Sequence, residues 1–166
     1  MKAHEILRNN NPNDCTVSGG WFKDLPIDKY KFVPYNGGIS NKQLQWLDDV
    51  ITKSIKNNEK VIVFSHQPIH APDKQQSLIF NSEEIKSILS KGNVICYFAG
   101  HDHDGQFDID ENTGTYHIVP AAPIEVNEND TTYGTVSVYH DRLKINWVGK
   151  KPNKTRIPWR DTLLLK

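Results

Sequence analysis

Three features of this chain predict an α/β fold. Two helical apolar stripes occur, one over Leu44 to Ile55 and one over Ile85 to Leu89. Each is followed by a short, continuous apolar run, Val61 to Phe64 and then Val94 to Phe98, of the kind that suits strands buried on both faces of a parallel sheet. Beyond Phe107 the apolar period changes to two, the pattern of antiparallel strands.

The 166 residues suffice for one domain with a real core, and 37% hydrophobic with 24% charged residues is an ordinary globular balance. A formal net charge of +0 removes any bulk attraction to nucleic acid or to an anionic membrane. The charge is uneven, however. Acids gather between Asp104 and Asp130, while Arg142 to Lys166 is mostly basic. Solvated faces and a polar tail account for this, or else a basic edge that steers an anionic substrate. Cys15 and Cys96 do not make a disulfide framework, and Cys96 lies inside an apolar run as a buried thiol. The N-terminus has no apolar signal region, and no window approaches the ~18 apolar residues of a membrane span. A soluble, cytoplasmic protein is expected.

The elements follow in order. Residues 1–40 are irregular and loop-rich, with turn signals at Asn9 to Asp14, Gly19-Gly20 and Gly37-Gly38, and a short helix over Lys2 to Arg8. Ser40-Asn41 caps a helix carrying Leu44, Leu47, Val50, Ile51 and Ile55, flanked by Trp46 and closed at Asn57-Asn58. The strand Val61 to Phe64 runs into Ser65-His66-Gln67-Pro68. A second helix opens at Ser82-Glu83-Glu84, its carboxylates favourable in the first turn, and stops at Gly92. The strand Val94 to Phe98 runs into Ala99-Gly100-His101-Asp102-His103-Asp104-Gly105. Phe107 to Asp110 and Thr115 to Val119 form a hairpin, and Tyr133 to Tyr139 with Leu143 to Val148 form another. The tail beyond Lys150 has no clear pattern.

Chemistry concentrates at the strand ends, where open α/β sheets bind ligands. His66 leaves the first strand; His101 and His103 leave the second. Neutral imidazole ligates zinc, manganese and iron. Two residues apart in a loop, His101 and His103 can serve two adjacent ions, and Gly100 lets the backbone come close there. On this pattern alone, a metal site and a set of hydrogen-bonded strand-end histidines are both admissible.

Ser65-His66-Gln67-Pro68 resembles the Gly-His-x-Pro motif of calcineurin-like metallophosphoesterases, with Ser65 where glycine is common. Gly100-His101-Asp102-His103 resembles their Gly-His-x-His motif outright. The likeness is closer still to manganese-dependent ADP-ribose/CDP-alcohol diphosphatases. It is carried by Tyr35-Asn36-Gly37-Gly38-Ile39-Ser40, Gln43 to Asp48, Phe64 to His70 and Ala99 to Gly105, and less tightly by Pro123-Ile124-Glu125 and Tyr133 to Val136. The best-matching core is 41–150. The resemblance implies a four-layer α/β/β/α sandwich, with 1–166 as the C-terminal part of a single phosphoesterase domain. It implies His66 and His101 on one ion of a dinuclear centre and His103 on the other, with manganese as the metal and magnesium, iron or zinc as alternatives. The implied reaction is hydrolysis of the pyrophosphate bond of ADP-ribose or a CDP-alcohol by a metal-held hydroxide. The implied partner is that small nucleotide substrate. His70 and His117 are candidate substrate contacts, against the plainer reading of loop and strand histidines. Asp102 and Asp104 either orient imidazoles or are solvated. Trp21, Phe22, Tyr30 and Tyr35 either stack a base or pack a loop down.

The family's Asp-x-His, Gly-Asp and Gly-Asn-His-Glu motifs do not occur in this sequence. The chain is therefore expected to begin after them, as a fragment, a truncated gene model or a short isoform. It is also expected to be a poor phosphoesterase alone, because two close dications without a bridging anion repel. The apolar surface meant for an N-terminal half would then be open to that half or to another partner. A purple-acid-phosphatase-like enzyme and a non-catalytic isoform are the alternatives.

Overall fold

The computed structural model describes residues 3–72, 75–125, 127 and 131–165. It contains two compact units: Met1–Val61 with Gln67–Asn93, and Ile62–His66 with Val94–Lys166.

In the first unit, helix α1 (Ala3–Asn10) runs two residues beyond the expected Arg8. Asn10 Nδ2 donates to the Ile6 carbonyl at 2.9 Å and the Asn11 amide to Leu7 at 2.8 Å, so the asparagines expected to form a turn complete the last helical turn instead. The irregular stretch that follows is held by polar pins. Asn11 Nδ2 donates to the carbonyls of Trp21 and Phe32 at 3.1 and 2.7 Å. Trp21 meets Tyr35 edge-on at 5.9 Å, and Phe22 meets Tyr30 at 4.9 Å, so these aromatics pack one another.

Helix α2 (Asn41–Lys56) starts where the Ser40 hydroxyl accepts from the Gln43 amide. Of the expected apolar stripe only Ile51 is fully buried, while Trp46, Val50 and Ile55 are exposed. The buried face instead runs through Leu44, Leu47, Ile51 and Ser54, one side of a 3.6-residue period. Helix α3 (Ser82–Leu89) buries Ile85 and Leu89. Gly92 follows it with a space requirement: a Cβ there would lie 2.8 Å from Ile51 Cγ2.

The second unit is built on two sheets. The first has strands β1 (Val61–Phe64), β2 (Val94–Phe98), β3 (Gln106–Ile109), β4 (Tyr116–Val119) and, later in the chain, β7 (Lys154–Thr155), in the order β1-β2-β4-β3-β7. The pairing is mixed rather than all parallel: β2 with β4 and β3 with β7 are parallel, β3 with β4 antiparallel. Strands β5 (Thr132–Val138), β6 (Arg142–Gly149) and β8 (Thr162–Leu164) form an antiparallel sheet in the order β5-β6-β8.

The expectation that the first strand is buried on both faces is not met. Strand β1 ends the order of its sheet, and Phe64 is 74% exposed, stacked on Phe98 at 5.3 Å. Strand β4, flanked on both sides, is the one buried at all four positions among the described strands. Period-two alternation then sorts the side chains. Cys96, Phe107, Tyr116 and Ile118 from the first sheet join Leu143, Ile145 and Leu163 from the second in one core. Gln106 and Asp108 alternate with Phe107 and therefore point to the opposite face. Cys96 is fully buried, which pushes its thiol far above the ordinary range and makes it inert.

Candidate metal centre

Strands β1 and β2 are neighbours whose carboxyl ends finish side by side. The Ser65 amide donates to the Phe98 carbonyl at 3.0 Å, and the Gly100 amide to the His66 carbonyl at 2.9 Å. That register brings the His66 and His101 rings together edge to face, with centroids 5.2 Å apart. The backbone approach expected at Gly100 is present. A Cβ there would meet His66 Nδ1 and O at 3.6 Å, ordinary contact, so the approach itself does not demand glycine. Ser65, where the resembling motif has glycine, hydrogen-bonds the buried Tyr97 hydroxyl; burial raises that hydroxyl's pKa and the serine opposes the rise.

His101 sits in the left-handed region at φ 67°, a conformation unfavourable for a residue with a Cβ. The turn is closed by the Asp102 amide on Gly100 O at 2.8 Å and the Gly105 amide on Asp102 O at 3.1 Å. Burial, then the neighbouring His66 and His103, push the His101 pKa below the ordinary imidazole value; Asp102 opposes this more weakly. The neutral ring with a free lone pair is the form that binds a metal ion.

His103 is exposed and shares a hydrogen bond between its Nδ1 and Glu125 Oε1 at 2.5 Å. Glu125 closes the short turn Pro123–Glu125, which is tied to the same histidine because the Ala122 amide donates to His103 O at 2.9 Å. A carboxylate on one ring nitrogen fixes the tautomer and leaves Nε2 for a ligand. Pro123-Ile124-Glu125 carries no local signal that gives the glutamate this role. Only the fold brings it across 22 residues.

Asp102 is turned away from solvent. Its carboxylate is gripped by Lys154 Nζ at 3.0 and 2.9 Å, with Asp104 also within 3.4 Å of that ammonium. Arg156 bonds the buried Asp108 through Nε at 2.9 Å and Nη2 at 2.6 Å. The acidic and basic segments, read as solvated or steering, thus meet in part. His117 is buried on β4 with its ring 5.7 Å from Tyr97 and in register with Asp108. His70 is half-buried and belongs to the first unit.

Histidines delivered to one loop cluster from the carboxyl ends of adjacent strands, with the pKa of His101 pushed down, make up the candidate centre, and they lie in a mixed α/β frame. The chain belongs to the metallophosphoesterase class: residues 3–105 match the calcineurin-like phosphoesterase family. Its similarity extends to proteins named manganese-dependent ADP-ribose/CDP-alcohol diphosphatase. The human one is 37% identical over 153 residues, covering 90% of this chain and 43% of the relative. The Danio rerio one is 40% identical, with coverages of 75% and 39%, and the Arabidopsis thaliana one 33%, with 87% and 46%. The crystal structure of a dimetal phosphatase from Danio rerio superposes with a TM-score of 0.79 at 33% identity, over 98% of this chain and 49% of that one. The α/β metallophosphoesterase fold expected from sequence is the fold found. The chain spans less than half the length of these relatives. No helix among the described residues is long and apolar enough to cross a membrane.

Proposed function

We propose that this chain supplies His66, His101 and His103 as imidazole ligands to the dinuclear centre of a manganese-dependent diphosphatase. The substrate class is a nucleoside diphosphate joined to a sugar or an alcohol, as in ADP-ribose and the CDP-alcohols. The observation that carries the reading is the His66–His101 pair, 5.2 Å apart at the ends of adjacent strands. The donor chemistry fits a divalent ion. Burial and the neighbouring imidazoles push the His101 pKa down, and His103 has one nitrogen committed to Glu125. When bound, such ions polarise a phosphoryl oxygen and lower the pKa of water. The chain's own part is to fix the rings, choose the tautomer of His103 and disfavour protonation of His101. His70 and His117 are the proposed substrate contacts. The diphosphatase names of the relatives favour this reading over a purple-acid-phosphatase-like one.

Three imidazoles provide no bridging anion, so turnover by this chain alone is expected to be poor. Exposed Phe64 at the end of β1 is part of the apolar surface that a companion segment would cover. The test is Mn²⁺ binding together with hydrolysis of ADP-ribose and CDP-choline, for the chain and for His101→Ala. Binding that disappears in the variant, with slow or absent turnover, supports the reading. Binding that His101→Ala leaves unchanged removes the ligand assignment. Brisk turnover lost in the variant overturns the claim that further ligands are needed.

A further inference from the structure

We propose that Lys154 is a positioning residue for the ligand loop, holding the segment between His101 and His103 in its metal-receiving shape through the buried ion pair with Asp102. This rests on the metal reading above. The loop from Gly100 to Gly105 is an awkward piece of chain. It turns through left-handed backbone at both His101, φ 67°, and Gly105, φ 74°. Only two backbone bonds within it close the turn, Asp102 N to Gly100 O and Gly105 N to Asp102 O. Asp102, placed between the two ligands, turns inward, with its side chain 8% exposed. A carboxylate so buried is strongly unfavourable unless it is paired. Lys154 pairs it at both oxygens, and is itself 15% exposed, so solvent screens the bond little.

The lysine comes from a strand that is fastened to the same loop by its backbone. The Lys154 amide donates to Gly105 O at 3.1 Å, and the Asn153 amide to Asp104 O at 3.0 Å. Two residues on, Arg156 repeats the arrangement with Asp108. The loop is therefore gripped by main chain and side chain from one short strand, 52 residues away in sequence. A surface ion pair would have neither the burial nor the second attachment. The pair also neutralises Asp102, so the carboxylate does not compete for an ion meant for the imidazoles.

The experiment follows free aqua-Mn²⁺ by its electron paramagnetic resonance signal during titration of four proteins: the unaltered chain, Lys154→Met, Lys154→Arg, and the double variant Asp102→Asn/Lys154→Met. The exchange rates of the Asp102 and Gly105 amides are measured in each without metal. The expected result for Lys154→Met is at least tenfold weaker Mn²⁺ binding and at least tenfold faster exchange at those two amides. Lys154→Arg should stay within threefold of the unaltered chain in both. The double variant leaves no buried charge behind, so it stands in should Lys154→Met fail to fold, and it should show the same two losses. Gly92→Ala, whose added Cβ would crowd Ile51 within the first unit, should lose stability and keep Mn²⁺ affinity unchanged. Unchanged exchange, unchanged Mn²⁺ affinity, or an equal loss of affinity in Gly92→Ala each overturn the proposal. An unaltered chain that leaves the Mn²⁺ signal intact sinks the metal reading instead, and the exchange rates then decide by themselves whether Lys154 holds the loop.

Discussion

Gly100 and Gly105 bracket the histidine loop, and the structure assigns them opposite tolerances for a methyl group. In Gly105→Ala the residue must keep φ at 74° while its Cβ meets Ala121 N at 2.7 Å, Val119 O at 2.9 Å and Ala121 Cα at 3.1 Å. The left-handed conformation costs about 1–2 kcal/mol for an L-residue. Crowding against backbone, which cannot swing away as a side chain can, costs a further ~1–3 kcal/mol. Reduced freedom of the unfolded chain returns about 0.4–1 kcal/mol. The net loss is about 1–5 kcal/mol, or roughly 2–20 °C in Tm for a chain of this size. Gly100→Ala keeps an ordinary φ and makes only 3.6 Å contacts with His66, so its stability should stay within about 1 kcal/mol of the unaltered chain. Urea unfolding of both, with the slope m checked for constancy, measures the difference. If Gly105→Ala is within 1 kcal/mol of the parent, or if the two variants cost the same, the loop geometry is wrong.

Further substitutions probe the groups around the loop. Arg156→Met leaves the 1%-exposed Asp108 without its guanidinium, and should cost about 1–3 kcal/mol, the half-exposed arginine holding the value below that of a fully buried pair; a urea midpoint equal to the parent's would dismiss the pair as decoration. Gln106 is fully buried, and its side-chain amide has no hydrogen-bond partner among the described residues, so Gln106→Met should stabilise by about 1 kcal/mol, which thermal unfolding would contradict by a lowered Tm. Burial depresses the Lys31 pKa, so the folded state carries fewer protons there than the unfolded one, and stability from this group rises with pH up to the ordinary lysine value near ~10.4. Unfolding free energies from pH 8 upward should therefore climb less in Lys31→Met than in the parent. Identical slopes would show that Lys31 is not desolvated.

The parts of the fold legible in the sequence are those whose signal is local. The stripe of α3 and the apolar runs of β1 and β2 announce themselves because each residue's environment is set by its neighbours along the chain. The strands β7 and β8 do not. With two and three residues they exist only because β3 and β6 offer edges to pair with. Burial within the helices shows the same division: Val50 and Ile55 look like core, yet the helix turns Ser54 inward instead. In the candidate site the histidines were readable because strand ends and adjacent Gly or Pro mark them. Lys154 and Glu125 were not, since nothing about an isolated lysine in a basic tail, or a glutamate after Pro-Ile, says which loop it will touch. Of the uneven charge, the structure pairs Lys154 with Asp102 and Asp104 and Arg156 with Asp108.

The last stretch of the second unit visits both of its sheets: β7 lies in the five-stranded one and β8, which begins seven residues after β7 ends, in the three-stranded one. On a ribosome this stretch emerges after the other strands of the unit. Until it is free, β3 has an open edge, Asp102 and Asp108 lack their cations, and Leu163 is missing from the shared core. The second unit therefore cannot complete its fold before this stretch has been made, and the histidine loop is among the last of its parts to take shape.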